Sequence, residues 1–193
     1  TMARKKALLD FSQKHNIKIG TIADLINYRI LNEKTVEKIE QKLVKTEYGK
    51  FNLILYKDLI FDETHLVLQK GKISKNSPTL VRVQQSNFFH DLLNINEFGA
   101  RWSVSDSMKK INEVGKGIIL LIDGENQKQD EFNEINASKK RRITAPNNDP
   151  RRIGIGSQIL RDLGVKKIKL MGSEVRYPSL SGFDLEVTEY VKK

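Results

Sequence analysis

Arg151 and Arg152 stand just before a segment that reads as a helix beginning near Gly156 and closed by Gly164. Two guanidinium groups beside a helix N-terminus make a general phosphate site. The alternative for the same pair is a capping or ion-pairing role at a loop–helix junction. Asp149 lies two residues before Arg151. The chain has no cysteine, which excludes disulfides and any thiolate-bound metal. Its histidines, His15, His65 and His90, are far apart in sequence, and none has metal-ligand spacing. Lys139-Lys140-Arg141-Arg142 is a local basic run. With little aromatic interleaving it offers only salt-sensitive, unspecific attraction, so a nucleic-acid partner is not expected.

A chain of 193 residues, 38% hydrophobic and 30% charged, must position these groups. That is enough for one sizeable core with a small appended unit. The formal net charge of +10 would attract phosphates or acidic partners. Along most segments, however, the charges alternate in sign, as on a solvated surface. No apolar run approaches about 18 residues, so no membrane span is expected. The first residues lack a long apolar segment with a small-residue cleavage site, so no signal peptide is expected either. Together with the absence of cysteine, this gives a cytoplasmic location as the expectation.

Residues 2–30 read as helical, with Thr21 as an N-cap for a second helix over 22–29. Residues 32–38 read as a charged linker. From 36 to 83 the short runs Phe51–Tyr56, His65–Leu68 and Leu80–Val83 alternate with turn residues, which predicts an antiparallel region. Val104, Met108, Ile111 and Val114 form one helical stripe, with Ser103 or Ser105 as cap and Gly115 as terminator. Residues 117–123 form a continuous apolar run, suited to a strand buried on both faces. Residues 124–149 are too polar to form much core and read as a loop, mobile or partly helical. A helix over 157–163 and strands over 167–170 and 185–191 follow. The predicted fold class is α+β: an antiparallel N-terminal sheet region leads into a mixed sheet with flanking helices.

Two segments carry a family resemblance. Lys18-Ile19-Gly20-Thr21-Ile22-Ala23-Asp24-Leu25-Ile26-Asn27-Tyr28-Arg29, preceded by Phe11 and His15, resembles the C-terminal end of a dihydroxybutanone phosphate synthase. Gly154-Ile155-Gly156-Ser157-Gln158-Ile159-Leu160-Arg161-Asp162-Leu163-Gly164-Val165 and Ser181-Gly182-Phe183-Asp184-Leu185-Glu186-Val187 resemble the C-terminal region of GTP cyclohydrolase II. These two riboflavin-pathway enzymes are often fused in that order. The resemblance therefore implies a synthase tail and linker over 1–33, then a cyclohydrolase-like domain over 34–193, without the synthase's catalytic body.

The family's chemistry opens the guanine ring of GTP, releasing formate and pyrophosphate. A zinc ion held by three cysteines supplies the attacking hydroxide. Here the matching positions are Asn87, Phe98 and Ala100. The family's Arg-Val-His-Ser-Glu-Cys stretch is Arg82-Val83-Gln84-Gln85-Ser86-Asn87, and a glutamine of the nucleotide site falls at Ser103. The Gln-Glu-Gly-Arg loop is Gly124-Glu125-Asn126-Gln127, and the Thr-Asn-Asn-Pro-x-Lys turn is Gly172-Ser173-Glu174-Val175-Arg176-Tyr177. The Asp-x-Arg pair survives as Asp149-Pro150-Arg151. By resemblance, Asp149 and Arg151 are the retained catalytic positions, for proton transfer and attack at the α-phosphate. Arg82 and Glu125 are the retained substrate positions, and Asp91 keeps a family aspartate.

Selective loss of this kind predicts an inactive cyclohydrolase-like domain with no zinc and no other cofactor, structural or regulatory for a fused 3,4-dihydroxy-2-butanone 4-phosphate synthase. Its expected partners are a second copy, as a homodimer, and the fused synthase domain. GTP or phosphate is the ligand the remnant site would take. The competing reading is a nucleotide hydrolase with residual zinc-independent activity, relying on Arg151, Asp149 and Glu125.

Overall fold

The apolar run Gly117–Ile122 forms a strand buried along almost its whole length, with Ile118, Ile119 and Leu120 fully enclosed. Each such side chain contributes roughly 1.5–3 kcal/mol by leaving water, so this strand belongs at the centre of a sheet rather than at an edge. In the computed structural model it does. The structure describes residues 5–21, 24–25, 28–29, 32–85, 91, 102–122, 150–174 and 178–193. The expected loop over 124–149 lies outside the described residues.

The chain divides into two compact units, Thr1–Glu33 and Lys34–Lys193. In the first, helix α1 (Lys5–His15) stacks Phe11 on His15, with ring centroids 4.3 Å apart. Thr21 and Asp24 form a reciprocal cap. The Asp24 amide donates to the Thr21 hydroxyl oxygen at 3.0 Å, and that hydroxyl donates to the Asp24 carboxylate at 2.7 Å.

The second unit is built on strands β1 (Val36–Thr46), β2 (Gly49–Asp58), β3 (Thr64–Lys70), β4 (Thr79–Gln85), β5 (Gly117–Ile122), β6 (Lys167–Met171) and β7 (Glu186–Val191). Helix α2 (Val104–Val114) connects β4 to β5, helix α3 (Pro150–Asp162) precedes β6, and a 3-10 turn (Pro178–Phe183) precedes β7. The sheet order is β1-β2-β3-β5-β4-β6-β7. β1, β2, β3 and β5 pair antiparallel in succession, whereas β4 pairs parallel with both β5 and β6, and β6 with β7. The fold is thus α+β with a mixed sheet.

Side chains alternate across the sheet, so each helix covers a different set of β5 residues. Ile119 packs with Ile111 of α2, Phe51, Leu80 and Met171. Gly156 of α3 lies against Ile122 and Leu120, where an added Cβ would come within 3.2 Å of Ile122. Ser103 caps α2 by accepting from the Asp106 amide at 3.1 Å, and Gly115 ends the helix in the left-handed region at φ 78°.

Three sequence expectations change. Residues 36–38, read as linker, open β1, an edge strand whose charged, exposed face hides the period-2 pattern. The strand over 80–83, expected in the antiparallel region, is parallel to its neighbours because α2 carries the chain across the sheet before β5. Helix α3 begins at Pro150 rather than near Gly156, because a proline with its fixed φ suits the first helical position.

The C-terminal turn of α3 is tied to the sheet through Asp162. Its carboxylate accepts from the buried Tyr56 hydroxyl at 2.8 Å and from Lys34 Nζ at 2.9 Å. Burial alone would raise the Asp162 pKa, but these two hydrogen bonds and the charges of Lys34 and Lys38 outweigh it and hold it below its usual 3.8. Tyr56 is pushed up, first by burial and then by the Asp162 carboxylate. A depressed carboxylate adds stability above its unfolded pKa that is lost as pH falls through the folded one. Asp162→Ala leaves the Tyr56 hydroxyl buried without this acceptor and should destabilise by about 1–3 kcal/mol at neutral pH. The gap from the parent should narrow as pH drops below about 4, as followed by chemical denaturation at several pH values.

Candidate functional site

Arg151 lies in the first turn of α3, half-buried, with its guanidinium against the β2–β3 hairpin. Its Nη2 donates to Glu63 Oε2 at 2.5 Å, and its Cζ lies 3.8 Å from the centroid of the Phe61 ring. The stacking and the ion pair use the planar fork of arginine, which lysine could not reproduce. The hairpin holds Glu63 in place through its own backbone. The Asp58 amide donates to the Glu63 carbonyl at 2.8 Å, and the Asp58 carboxylate accepts from the Ile60 amide at 2.8 Å. Asp62 takes the left-handed conformation at φ 59° that the turn needs, and it pairs with Lys57.

Asp58, Glu63 and His65 converge behind this contact, their ligand-type atoms all within 4.8 Å of one another. Asp58 and His65 are fully buried. Nitrogen and carboxylate donors of this kind suit a divalent cation, and this is the one such trio among the described residues. The Arg151 guanidinium already brings positive charge to it through Glu63. The sequence spacing of His65 gave no hint of this cluster. The hairpin assembles it by pairing β2 with β3, which sets Tyr56 opposite His65.

Arg82 on β4 is anchored elsewhere. Its Nη1 donates to the Met171 carbonyl at 2.9 Å, its Nη2 to the Trp102 carbonyl at 3.2 Å and its Nε to Gln84 Oε1 at 2.8 Å. Gln84 donates in turn to Asp91 at 2.9 Å, and Asp91 accepts from the Val104 amide at 3.1 Å. The network joins the end of β6, the strand β4 and the start of α2. Trp102 adds an indole N–H donated to the Val191 carbonyl at 3.1 Å while packing on the Phe51–Ile111 core cluster. Ser103 is the α2 cap.

The described contacts therefore place Arg82 and Arg151 on different partners rather than on one shared centre. Asp149 and Glu125 lie outside the described residues, as do Asn87, Phe98, Ala100, the Lys139–Arg142 run and residues 175–177 of the final turn. The donor chemistry at the three family zinc positions is nonetheless fixed by residue type. Phenylalanine and alanine side chains offer no ligand atom, and asparagine offers only an amide. These residues do not fit a three-thiolate zinc site.

Comparison with known proteins gives consistent results. The family model for GTP cyclohydrolase II matches residues 37–192. A 3,4-dihydroxy-2-butanone 4-phosphate synthase from Pseudomonas aeruginosa is 43% identical over 197 residues, covering 99% of this chain and 53% of that protein. The riboflavin biosynthesis protein RibBA of Aquifex aeolicus is 37% identical over 203 residues, covering 99% of this chain and 50% of its own. Among solved structures, RibBX, a two-domain 3,4-dihydroxy-2-butanone 4-phosphate synthase from A. baumannii, superposes with a TM-score of 0.66 at 39% identity, over 100% of this chain and 50% of that one. The chain spans about half the length of the relatives it matches. The family match covers most of the chain and the fold agrees with it: the chain belongs to the GTP cyclohydrolase II family.

Proposed function

We propose that this chain is the cyclohydrolase-like part of a two-domain riboflavin-biosynthesis protein. It lacks cyclohydrolase activity, holds no family zinc and serves a 3,4-dihydroxy-2-butanone 4-phosphate synthase by structure or regulation. Residues 1–33 are the end of the synthase-like part and its linker, and residues 34–193 form the cyclohydrolase-like domain, acting in the cytoplasm as a homodimer. The relatives support this setting, since both the synthases and RibBA match over nearly the whole chain while extending to about twice its length.

The observation that carries the reading is the engagement of both retained arginines by the protein itself. Arg151 is paired with Glu63 and stacked on Phe61, and Arg82 is bonded to two backbone carbonyls. A phosphate-binding arginine must exchange such contacts for substrate, which weakens binding by what the internal contacts contribute. The missing thiolates remove the other half of the chemistry. Without metal-activated hydroxide, attack on the imidazole carbon of GTP has no strong nucleophile at neutral pH.

Arg151→Gln separates a structural arginine from a substrate arginine. A structural role predicts a loss of about 1–3 kcal/mol in unfolding free energy, because Glu63 and its buried neighbours lose their counter-charge. A vestigial phosphate ligand predicts a neutral or stabilising change. The role toward the synthase is checked in the full two-domain protein by truncation after the synthase body, near Asn32. The reading expects altered synthase activity, stability or oligomeric state, and all three unchanged would contradict it.

A further inference from the structure

Strand β1 is outermost in the sheet and pairs with β2 alone among the described strands. Eight of its eleven positions are exposed, including two large apolar ones, Ile39 at 52% and Leu43 at 63%. An edge of unpaired backbone groups with aliphatic side chains on it is a template for another strand. The pattern along β1 identifies which strand fits.

We propose that β1 is a self-pairing interface, at which two copies of this chain join antiparallel about a two-fold axis through Gln41 and so extend the two sheets into one. In that register Glu40 faces Lys42 of the other copy, and the symmetry repeats the pair. A two-fold axis perpendicular to the sheet must pass through a residue, because facing side chains have to lie on the same side. Moving it to Glu40 sets Glu40 against Glu40 and Lys38 against Lys42. Moving it to Lys42 sets the Lys42 pair against itself. An axis at Leu43 forms no ion pair. An axis at Ile39 falls on the bulge, where the β1–β2 register shifts between Lys38 and Glu40. Only Gln41 sets opposite charges face to face on the regular backbone of 40–46, and such pairs stabilise antiparallel strands. The proposal goes beyond the homodimer stated above by naming its surface, and it does not depend on whether the domain is catalytic.

Charge reversal tests it, because two wrongs restore the pairing. The 193-residue chain is studied by sedimentation equilibrium at low ionic strength, where exposed charge pairs are least screened. The parent should dimerise, and Glu40→Lys or Lys42→Glu alone should weaken dimerisation roughly tenfold by turning two attractive pairs into two repulsive ones. The double variant E40K/K42E should return it close to the parent. All these positions are exposed, and recovery in the double variant rules out misfolding as the cause of loss. A monomeric parent would make β1 a guarded edge and overturn the proposal. So would a dimer indifferent to the single changes, or one that the double variant fails to rescue.

Discussion

The second unit depends on one buried strand. Among the described residues, β5 is the strand that joins the two halves of the sheet, pairing antiparallel with β3 on one side and parallel with β4 on the other. Its side chains alternate between the α2 layer and the α3 layer, so both helices are registered on the same six residues. Gly117 begins the strand where the chain leaves α2. A Cβ there would meet the Leu80 carbonyl at 2.9 Å and the Ile111 side chain at 2.7 Å, so the close approach of α2, β4 and β5 requires a residue without one. The placement of α3, and hence of Arg151 beside the β2–β3 hairpin, follows from that arrangement.

On this frame, the arginines and the aspartate that the family resemblance singles out are bonded within the fold. Arg82 fastens β4 to the end of β6 and the start of α2, Asp91 links β4 to the α2 amide end, and Arg151 pairs with Glu63 beside the buried Asp58 and His65. Each is a polar group whose burial is tolerated because it is bonded. The same bonds limit what the group can do for a ligand. An enzyme of this family needs metal ligands and arginines poised for phosphate. By resemblance the ligand positions fall on Asn87, Phe98 and Ala100, and the described contacts of Arg82 and Arg151 are with the protein itself.

Much of this was legible in the sequence, for identifiable reasons. The apolar run of β5, the stripe and caps of α2 and the Thr21 cap are local signals, and local geometry decides them. Strand β1 was missed because Glu37, Lys38, Glu40 and Lys42 carry no alternation when one edge and most of a face meet solvent. The parallel setting of β4 could not be read from its own residues, since it depends on where α2 returns the chain. The start of α3 was displaced because Arg151 and Arg152 look like loop residues until Pro150 is taken as a helix opener. The Asp58–Glu63–His65 cluster was invisible for the opposite reason: its members are close in sequence, but only the hairpin register turns them toward one another. The match of Asn87, Phe98 and Ala100 to the family's zinc positions rests on resemblance alone, and these residues lie outside the described ones.

The central claim is that this fold persists without the reaction of its family. Incubating the purified chain with GTP, magnesium and added zinc, and measuring formate release, tests it most directly. The account predicts no formate above the protein-free control, even after prolonged incubation with zinc in excess. Formate and pyrophosphate appearing in proportion to protein, and abolished by chelation, would contradict it.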